Sequence, residues 1–312
     1  MTEQTRNGSH PIVRLMGLYS EAALHPGTGS NTGAIDLPIQ RERHTGFPLI
    51  PASSLKGSLR ERAELTWSAR DPRVTVLFGP EVNATGGGNA GAIGFGETQL
   101  VAFPVRSTSQ IFVWVTCPLV LDRLGRNLAR VGRQGFPAVT DRPRNNDEAL
   151  APQPQGKSKG NGLAGTLVLE DLSFTKQDKQ SVHEIAAWMA TNLLPSSHVE
   201  MRTKLEKHLL LVSDENFEHL VRVATQISAR IKLNDKKTTT GGGGNLWYEE
   251  TLPRDCLFMT AMRLEAPRPP VGNINNPRDV EAEFTKLFAS EPYIQLGGNE
   301  TVGQGWCAVQ LL

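Results

Sequence analysis

The sequence has 312 residues and a net charge of +1, from 33 Lys and Arg side chains against 32 Asp and Glu. A chain of this length can bury a hydrophobic core in one elaborated domain or in two ordinary ones. The balanced charge excludes a polycation that coats nucleic acid by charge alone, so binding to RNA would need local basic patches.

Cysteine spacing and hydropathy indicate the compartment. Cys117, Cys256 and Cys307 lie far apart and lack the paired spacing of zinc sites, so we predict core thiols in a reducing cytoplasm. No uncharged apolar run reaches the roughly 18 residues of a membrane span, and the first residues lack a signal-peptide core. We therefore expect a cytoplasmic protein that binds no membrane.

The N-terminal part of the chain leads to an acidic residue in an apolar setting. A strand predicted over 11–24 enters a glycine-rich loop at 25–33. Asp36 then lies between two apolar residues. Its carboxylate either forms a salt bridge, with Arg41 or Arg43 as the local candidates, or points at a ligand.

A helix is predicted directly after this segment. Pro48 and Pro51 keep the preceding turn non-helical, and Ser53 or Ser54 can cap the helix that follows. Its apolar residues have the i, i+4, i+8 spacing of a buried stripe. The stripe consists of Leu55, Leu59 and Ala63.

Two cations of this helix form a possible phosphate site. Lys56 and Arg60 lie four residues apart near the N-terminus, where positive charge opposes the helix macrodipole. An anion such as a phosphate at the exposed N–H groups would explain their placement. The alternative is a solvated helix face.

The middle of the chain combines an apolar run with a polar insertion. Residues 110–121 are rich in β-branched and aromatic side chains, which predicts a buried strand. A short helix over 122–135 collects its arginines on one side. Residues 141–162 are rich in Pro, Gly and Asn and predict a mobile insertion. The arginines are Arg123, Arg126, Arg130 and Arg133.

The C-terminal half mixes strands and helices with no repeated βαβ rhythm. Two strand-like arms around a glycine-rich tip at 229–253 predict a protruding β-hairpin. Ser213 or Asp214 is expected to cap a helix. This mixture predicts an α+β fold with an antiparallel sheet. Further strands are predicted at 167–174, 208–212, 255–266, 293–298 and 306–312, and further helices at 182–194 and 279–290.

Five sequence motifs occur together in one order along the chain. They are GAIDLPIQRE at 33–42, TGFPLIPASSLKGSLR at 45–60, LVSDENF at 211–217, NLWYEETLP at 245–253 and IQLGGNETVGQGW at 294–306. In these motifs the chain resembles the backbone subunits of Cmr (type III-B) CRISPR effector complexes, which belong to the RAMP superfamily of guide-RNA-binding proteins. The resemblance extends from about residue 25 to the C-terminus.

The resemblance implies a fold and a domain plan. It implies a single RAMP domain over 1–312, built on a ferredoxin-like, RRM-like palm with an antiparallel sheet. A thumb-like β-hairpin is expected at 229–253. Inserted lid segments would include a flexible region at 122–165.

The resemblance also implies a function in antiviral defence. Copies of the subunit would stack head to tail along a CRISPR guide RNA, together with other Cmr subunits. Each copy would cleave the complementary target RNA beside its thumb, so that cuts recur at regular intervals. A divalent ion, Mg²⁺ or Mn²⁺, is expected from the family.

Asp36 is the principal catalytic and metal-binding candidate. One carboxylate cannot build a two-metal site, but the 2′-OH of RNA can attack its neighbouring phosphate when the backbone is held in line. The protein then needs mainly geometry and one acid, base or hydrated metal. In the family, the aspartate of the GAIDLPIQRE-like motif is the residue required for cleavage, and the resemblance assigns that role to Asp36.

Four further residues are catalytic candidates. His25 could supply a proton or touch a phosphate, or it could anchor its loop. Tyr248, Glu249 and Glu250 lie at the base of the predicted hairpin and could approach the scissile phosphate. Adjacent strand residues point to opposite faces, so only one of the two glutamates should face the RNA.

A second group of residues is expected to contact the guide backbone. Glycines let main-chain N–H groups reach phosphate oxygens, and the GGNETVGQG loop resembles the glycine-rich loop of RAMP proteins. A tight β-turn would use the same residues. The RNA-binding candidates are Ser53, Ser54, Lys56, Arg60, Gly297, Gly298, Gly303 and Gly305.

Two other functions compete with RNA cleavage. In the first, the chain is a catalytically inactive guide-binding filament subunit, and Asp36 only braces its loop. The second, a small-molecule phosphate-binding enzyme, is weaker because no Walker or Rossmann motif stands in a strand-turn-helix context.

Overall fold

The computed structural model describes residues 10–30, 32–80, 88–155, 161–233, 235–236, 238 and 246–312. Its strands are β1 Ile12–Ser20, β2 Leu49–Ile50, β3 Ile93–Phe95, β4 Thr98–Arg106, β5 Phe112–Thr116, β6 Glu148–Pro152, β7 Thr166–Leu169, β8 Leu172–Lys179, β9 Leu209–Leu211, β10 Gln226–Ile231, β11 Leu246–Thr251, β12 Leu257–Leu264, β13 Tyr293–Gln295 and β14 Trp306–Leu311. Its helices are α1 Ala52–Trp67, α2 Pro72–Phe78, α3 Pro118–Arg130, α4 Gln180–Leu193, α5 Val199–His208, α6 Asp214–Val223 and α7 Pro277–Lys286, with a short 3-10 helix at Glu300–Val302. Within the described ranges, no helix is both long and apolar enough to cross a membrane.

One large sheet organises the molecule. Its strand order is β13-β14-β1-β12-β4-β5-β9-β6-β8-β7, with β2 added beside β4 and β3 beside β12. Neighbouring strands run antiparallel except in the β5–β9 and β6–β8 pairs. The predicted α+β class with an antiparallel sheet is therefore confirmed.

The sheet has helices on both faces because interior strands such as β1 are apolar on both sides. Successive strand residues point to opposite faces. Leu15 and Tyr19 of β1 join a core cluster with α3, α4 and α5. Met16 and Leu18 join the opposite cluster, with α1, α2, α6 and α7.

The start of α1 differs from the prediction. Pro51 is the N-cap residue and makes no side-chain cap hydrogen bond, whereas its carbonyl accepts the Leu55 N–H at 3.1 Å. Ser53 and Ser54 are already helical and exposed in the first turn. The predicted capping role of these two serines is therefore wrong. In α6, by contrast, Ser213 caps the helix as predicted.

Two strand predictions need correction. The apolar run at 110–121 forms β5 only as far as Thr116, and Pro118 then opens α3, because proline lacks an N–H and suits the first helical turn. The segment 167–174 is not one strand. It contributes to β7 and β8, which pair antiparallel about a turn at Glu170, whose φ is 50°.

The predicted flexible region at 122–165 also needs correction. Its first residues belong to α3. Residues 148–152 form β6, which pairs with β9 and β8 inside the large sheet and has its middle three residues buried. Residues 156–160 of the predicted insertion lie outside the described residues.

The hairpin predicted at 229–253 has two paired arms. Strands β10 and β11 pair antiparallel from Gln226 with Thr251 to Ile231 with Leu246, so the first arm begins three residues earlier than predicted. The glycine-rich tip at 241–244 lies outside the described residues. Whether this hairpin acts as a thumb stays a prediction.

The three cysteines occupy the core, which confirms that part of the prediction. Cys117, Cys256 and Cys307 are fully buried and free of disulfides. Burial disfavours the thiolate, so it raises the pKa of all three thiols, that of Cys307 to about 12.

The buried stripe of α1 supports a stability prediction. Leu55, Leu59 and Ala63 are fully buried as predicted, whereas Leu65 of the same helix is 83% exposed. Leu59→Ala should lower the free energy of unfolding by about 2–5 kcal/mol through lost burial and a cavity. Leu65→Ala is the matched control and should change it by less than about 0.5 kcal/mol. Equal losses in urea denaturation of the two variants would contradict this placement of α1.

Candidate functional site

The loop that contains Asp36, residues 33–42 and called the Asp36 loop below, is hydrogen-bonded to the hairpin strand β11. The Leu37 N–H donates to the Tyr248 carbonyl at 3.0 Å, and the Glu250 N–H donates to the Leu37 carbonyl at 3.0 Å. These bonds form a short parallel bridge between Leu37 and Glu249. Two segments more than 200 positions apart thus share main-chain pairing.

Asp36 lies at the start of this pairing and is partly exposed. Its Oδ2 accepts the Tyr248 N–H at 2.7 Å. Neither Arg41 nor Arg43 pairs with it in the described part of the chain, so the salt bridge considered from the sequence is not what the structure shows. The Arg41 guanidinium instead lies 2.6 Å from Glu250.

His25 lies between the hairpin and the glycine-rich loop. Its Nδ1 is 2.7 Å from the Glu250 carbonyl oxygen, and its own carbonyl accepts the Gly298 N–H at 3.2 Å. Because a carbonyl oxygen only accepts, Nδ1 carries the hydrogen. Nε2 is then the ring nitrogen that can exchange a proton with a ligand, as an acid or as a base.

The two consecutive glutamates of β11 face opposite ways, as predicted for adjacent strand residues. Glu249 is 3% exposed, and its carboxylate accepts from Asn299 Nδ2 at 2.5 Å and lies 3.5 Å from Arg230 Nε. Glu250 is 4% exposed and contacts Arg41. Both carboxylates are thus buried among protein partners, and whether either faces RNA stays a prediction.

Tyr248 presents its side chain to the outside. The residue is 43% exposed, while its N–H and carbonyl both bind the Asp36 loop. Its ring is therefore available to a ligand beside Asp36, and its main chain positions that loop.

The glycine-rich loop packs directly against the His25 segment. Gly297 has φ +78°, and a Cβ there would lie 2.5 Å from the His25 carbonyl oxygen. At Gly305, with φ +85°, a Cβ would lie 2.1 Å from the Leu296 oxygen. The N–H groups of Gly298, Gly303 and Gly305 already donate to carbonyls of the protein. In this structure these groups hold the loop and the 23–25 segment in place, and their contact with phosphate stays a prediction.

The remaining predicted RNA contacts lie on α1. The Arg60 guanidinium donates to Glu64 Oε1 at 2.7 Å and to the Gly79 carbonyl at 2.6 Å. Lys56 forms no hydrogen bond or ion pair with any residue the structure describes. Of the two cations, Lys56 is thus the one available to an anion, alongside exposed Ser53 and Ser54.

A basic cleft beside the start of α1 was not predicted as a unit. Its volume is about 570 Å³. Arg123 is one of its lining residues and donates from Nη1 to both carboxylate oxygens of Glu42, at 2.8 and 2.9 Å. No local spacing signals this cleft, because its walls come from residues 40–51, from residues 97–99 and from α3. Other charged lining residues are Arg41, Arg43, His44, Glu97 and Arg126.

Comparison with known proteins identifies the family. The model of the RAMP superfamily matches residues 18–308. The chain belongs to the RAMP superfamily. This RAMP protein is 35% identical over 298 residues to the CRISPR system Cmr endoribonuclease Cmr4 of Pyrococcus furiosus, with 95% of each chain covered.

Solved structures share the fold of this RAMP protein. A crystal structure of oligomeric Cmr4 from Pyrococcus furiosus is 29% identical, with a TM-score of 0.68 and 96% and 97% of the two chains covered. A chain of a type III-B Cmr-beta complex bound to cognate target RNA has a TM-score of 0.69 at 17% identity, covering 96% and 97%. The second likeness establishes the fold alone.

The donor set around Asp36 is compatible with a hydrated divalent ion. Across the described ranges, no group of three or more His, Cys, Asp or Glu side chains is placed to hold a metal. Mg²⁺ keeps several waters and commonly binds through one or two carboxylates and substrate phosphates. The partly exposed carboxylate of Asp36 fits that mode of binding.

Two glycines of this RAMP protein provide a matched test of the loop packing. Gly297 and Gly303 both have φ +78°, but a Cβ at Gly303 would meet nothing within 4 Å. Both alanine variants bear the left-handed backbone cost of about 1–2 kcal/mol. Gly297→Ala should lose at least about 1 kcal/mol more, because its Cβ clashes with the His25 main chain. Thermal unfolding would measure the difference, and equal melting temperatures would show that the loop does not pack on His25.

Proposed function

We propose that this RAMP protein is the guide-RNA-binding backbone subunit of a Cmr-type CRISPR ribonucleoprotein and that it cleaves complementary target RNA. The observation that carries the proposal is the partly exposed Asp36 carboxylate, fixed at the hairpin by the Tyr248 N–H. Its support is the 35% identity to a Cmr endoribonuclease across nearly the whole chain.

The proposed assembly is a filament on the guide RNA. Copies of the chain stack head to tail with other Cmr subunits in the cytoplasm, and base pairing with the guide selects the target. A relative of similar fold forms oligomers, which supports self-association. The exposed ring of Tyr248 and the cations Lys56 and Arg126 lie on surfaces open to RNA.

The proposed chemistry is transfer of the phosphate to the neighbouring 2′-oxygen. The 2′-OH attacks phosphorus, the bond to the 5′-oxygen breaks, and the products carry a 2′,3′-cyclic phosphate and a 5′-OH. Asp36 takes the proton of the attacking hydroxyl. His25, when protonated, donates from Nε2 to the leaving oxygen while Nδ1 stays bound to the Glu250 carbonyl. A hydrated divalent ion held at Asp36 through its bound waters would supply positive charge to the phosphate oxygens and leave a carboxylate oxygen to take the proton.

The second candidate is an inactive guide-binding subunit. One observation favours it: the same Asp36–Tyr248 bond also braces the loop, which is a sufficient structural role for the carboxylate. Loss of cleavage with retained assembly distinguishes the two functions.

Asp36→Asn tests the catalytic role. Asparagine keeps an oxygen acceptor for the Tyr248 N–H but removes the base, so cleavage by the reconstituted complex should fall by about 10²–10⁴-fold. Guide loading and target binding should persist in gel-shift assays. Asp171→Asn, on the turn between β7 and β8, is the matched control. Unchanged periodic cutting by Asp36→Asn would favour the second candidate or another acid.

Product ends and chelation test the mechanism separately. We expect a 5′-OH on the downstream fragment, detected by its labelling with polynucleotide kinase without prior dephosphorylation. EDTA should stop cutting, and added Mg²⁺ or Mn²⁺ should restore it. A 5′-phosphate would contradict attack by the 2′-OH, and cutting that persists in EDTA would contradict the metal.

A further inference from the structure

Glu250 is a buried carboxylate with several bonded partners. Its Oε2 accepts the Ile39 N–H at 3.1 Å. Its Oε1 accepts from Arg41 Nη2 at 2.6 Å and from Thr225 Oγ1 at 2.9 Å. A buried charge is costly unless it is paired and hydrogen-bonded, and these partners meet that requirement.

Arg41 extends this contact to neighbouring segments. Its Nη1 donates to the carbonyls of Gly46 at 3.0 Å and Val221 at 3.1 Å. The guanidinium therefore ties the Asp36 loop to the following turn, to the end of α6 and, through Glu250, to the hairpin. A lysine could not make these contacts together, because it lacks the planar fork of donors.

Glu250 bonds both to the loop that carries Asp36 and to His25, the two catalytic candidates. Through its carboxylate, Glu250 holds the loop three residues after Asp36. Through its main-chain carbonyl, it binds His25 Nδ1 at 2.7 Å. If the Glu250 carboxylate were removed, the loop would still be held on β11 by the main-chain pairing at Leu37 and by the Asp36–Tyr248 bond.

We propose that Glu250 is a positioning residue that holds the Asp36 loop on the hairpin, so that loop and hairpin move as one unit. The inference rests on the proposed function in that Asp36 is taken as the cleaving residue. Glu250 does not itself transfer a proton, because at 4% exposure its carboxylate is bonded to Ile39, Arg41 and Thr225. A hairpin displaced by RNA would carry Asp36 with it.

Glu250→Gln in the reconstituted complex is the primary test. The amide keeps the size but replaces one acceptor oxygen by an NH₂ group, which then faces either the Ile39 N–H or the Arg41 guanidinium. Cleavage at saturating target should slow by up to about 10²-fold, the scale expected when a catalytic group is displaced by about 1 Å. The dissociation constant for target RNA should stay within about twofold, since Glu250 is too buried to contact it.

Two further measurements on Glu250→Gln distinguish a positioning role from a catalytic role and from a general loss of stability. Hydrogen exchange of the Leu37 and Ile39 amides in the variant should speed up. The pH profile of cleavage should keep its shape, because the groups that transfer protons are unchanged. Glu281→Gln is the control, because Glu281 of α7 also pairs with an arginine, Arg14 of β1, at 2.5 and 3.1 Å, and forms no bond with the Asp36 loop or β11 among the described residues.

Arg41 provides a second, independent variant. Arg41→Gln should slow cleavage and loosen the same amides, and the Arg41→Gln/Glu250→Gln double variant should lose less than the product of the single losses, because the two residues act through one contact. If Glu250→Gln fails to assemble, amide exchange in the Arg41→Gln complex decides alone. Unchanged exchange at Leu37 and Ile39 overturns the proposal.

The outcomes distinguish this proposal from the proposed function. If Asp36→Asn abolishes cutting while Glu250→Gln cuts at the wild-type rate, the positioning role is wrong and the function stands. Loss of one limb of the pH profile in Glu250→Gln would make Glu250 a proton-transfer group and overturn positioning. If Asp36→Asn still cuts, the assignment of Asp36 fails, while faster exchange at Ile39 in Glu250→Gln would still show that Glu250 holds the loop.

Discussion

The pairing of the Asp36 loop with strand β11 is the interaction on which the site depends. The loop forms no regular element of its own, so its place is set by bonds to the main chain of Tyr248 and Glu250. A single hydrogen bond contributes only about 0.5–1.5 kcal/mol to stability. Several bonds in succession, together with the ion pair between Arg41 and the buried Glu250, fix the position of the Asp36 carboxylate.

Strand β11 serves two loops at once because of strand geometry. Consecutive side chains point to opposite sides, so Glu249 meets Asn299 of the glycine-rich loop while Glu250 meets the Asp36 loop. Each carboxylate is buried, and each is satisfied by donors from a distant segment. The hairpin base therefore joins three regions that are far apart in the chain. The tight glycine packing against His25 completes the same junction.

Several features were readable from residues close together in the chain. The helical stripe at Leu55, Leu59 and Ala63 follows from spacing alone, as does the Ser213 cap, because amphipathicity and capping act within a few positions. The motif order led to the RAMP superfamily, and the comparisons bear this out. Local reasoning failed where neighbours compete for a role. Ser53 and Ser54 have side chains that can cap a helix, but the helix already begins after Pro51, which is the N-cap residue. The buried strand β6 was missed because the region at 122–165 is polar on average.

By itself, the sequence determined the fold class, the family and the position of one aspartate in an apolar motif. These follow from periodicity and residue order, which are local properties. Tertiary structure alone decided which charged groups are paired: Asp36 binds a main-chain N–H 212 positions away, and Arg41 binds Glu250 at a separation of 209. Burial and ion pairing depend on such long-range contacts. That is why two adjacent glutamates and an aspartate of similar chemistry have such different surroundings in the folded chain.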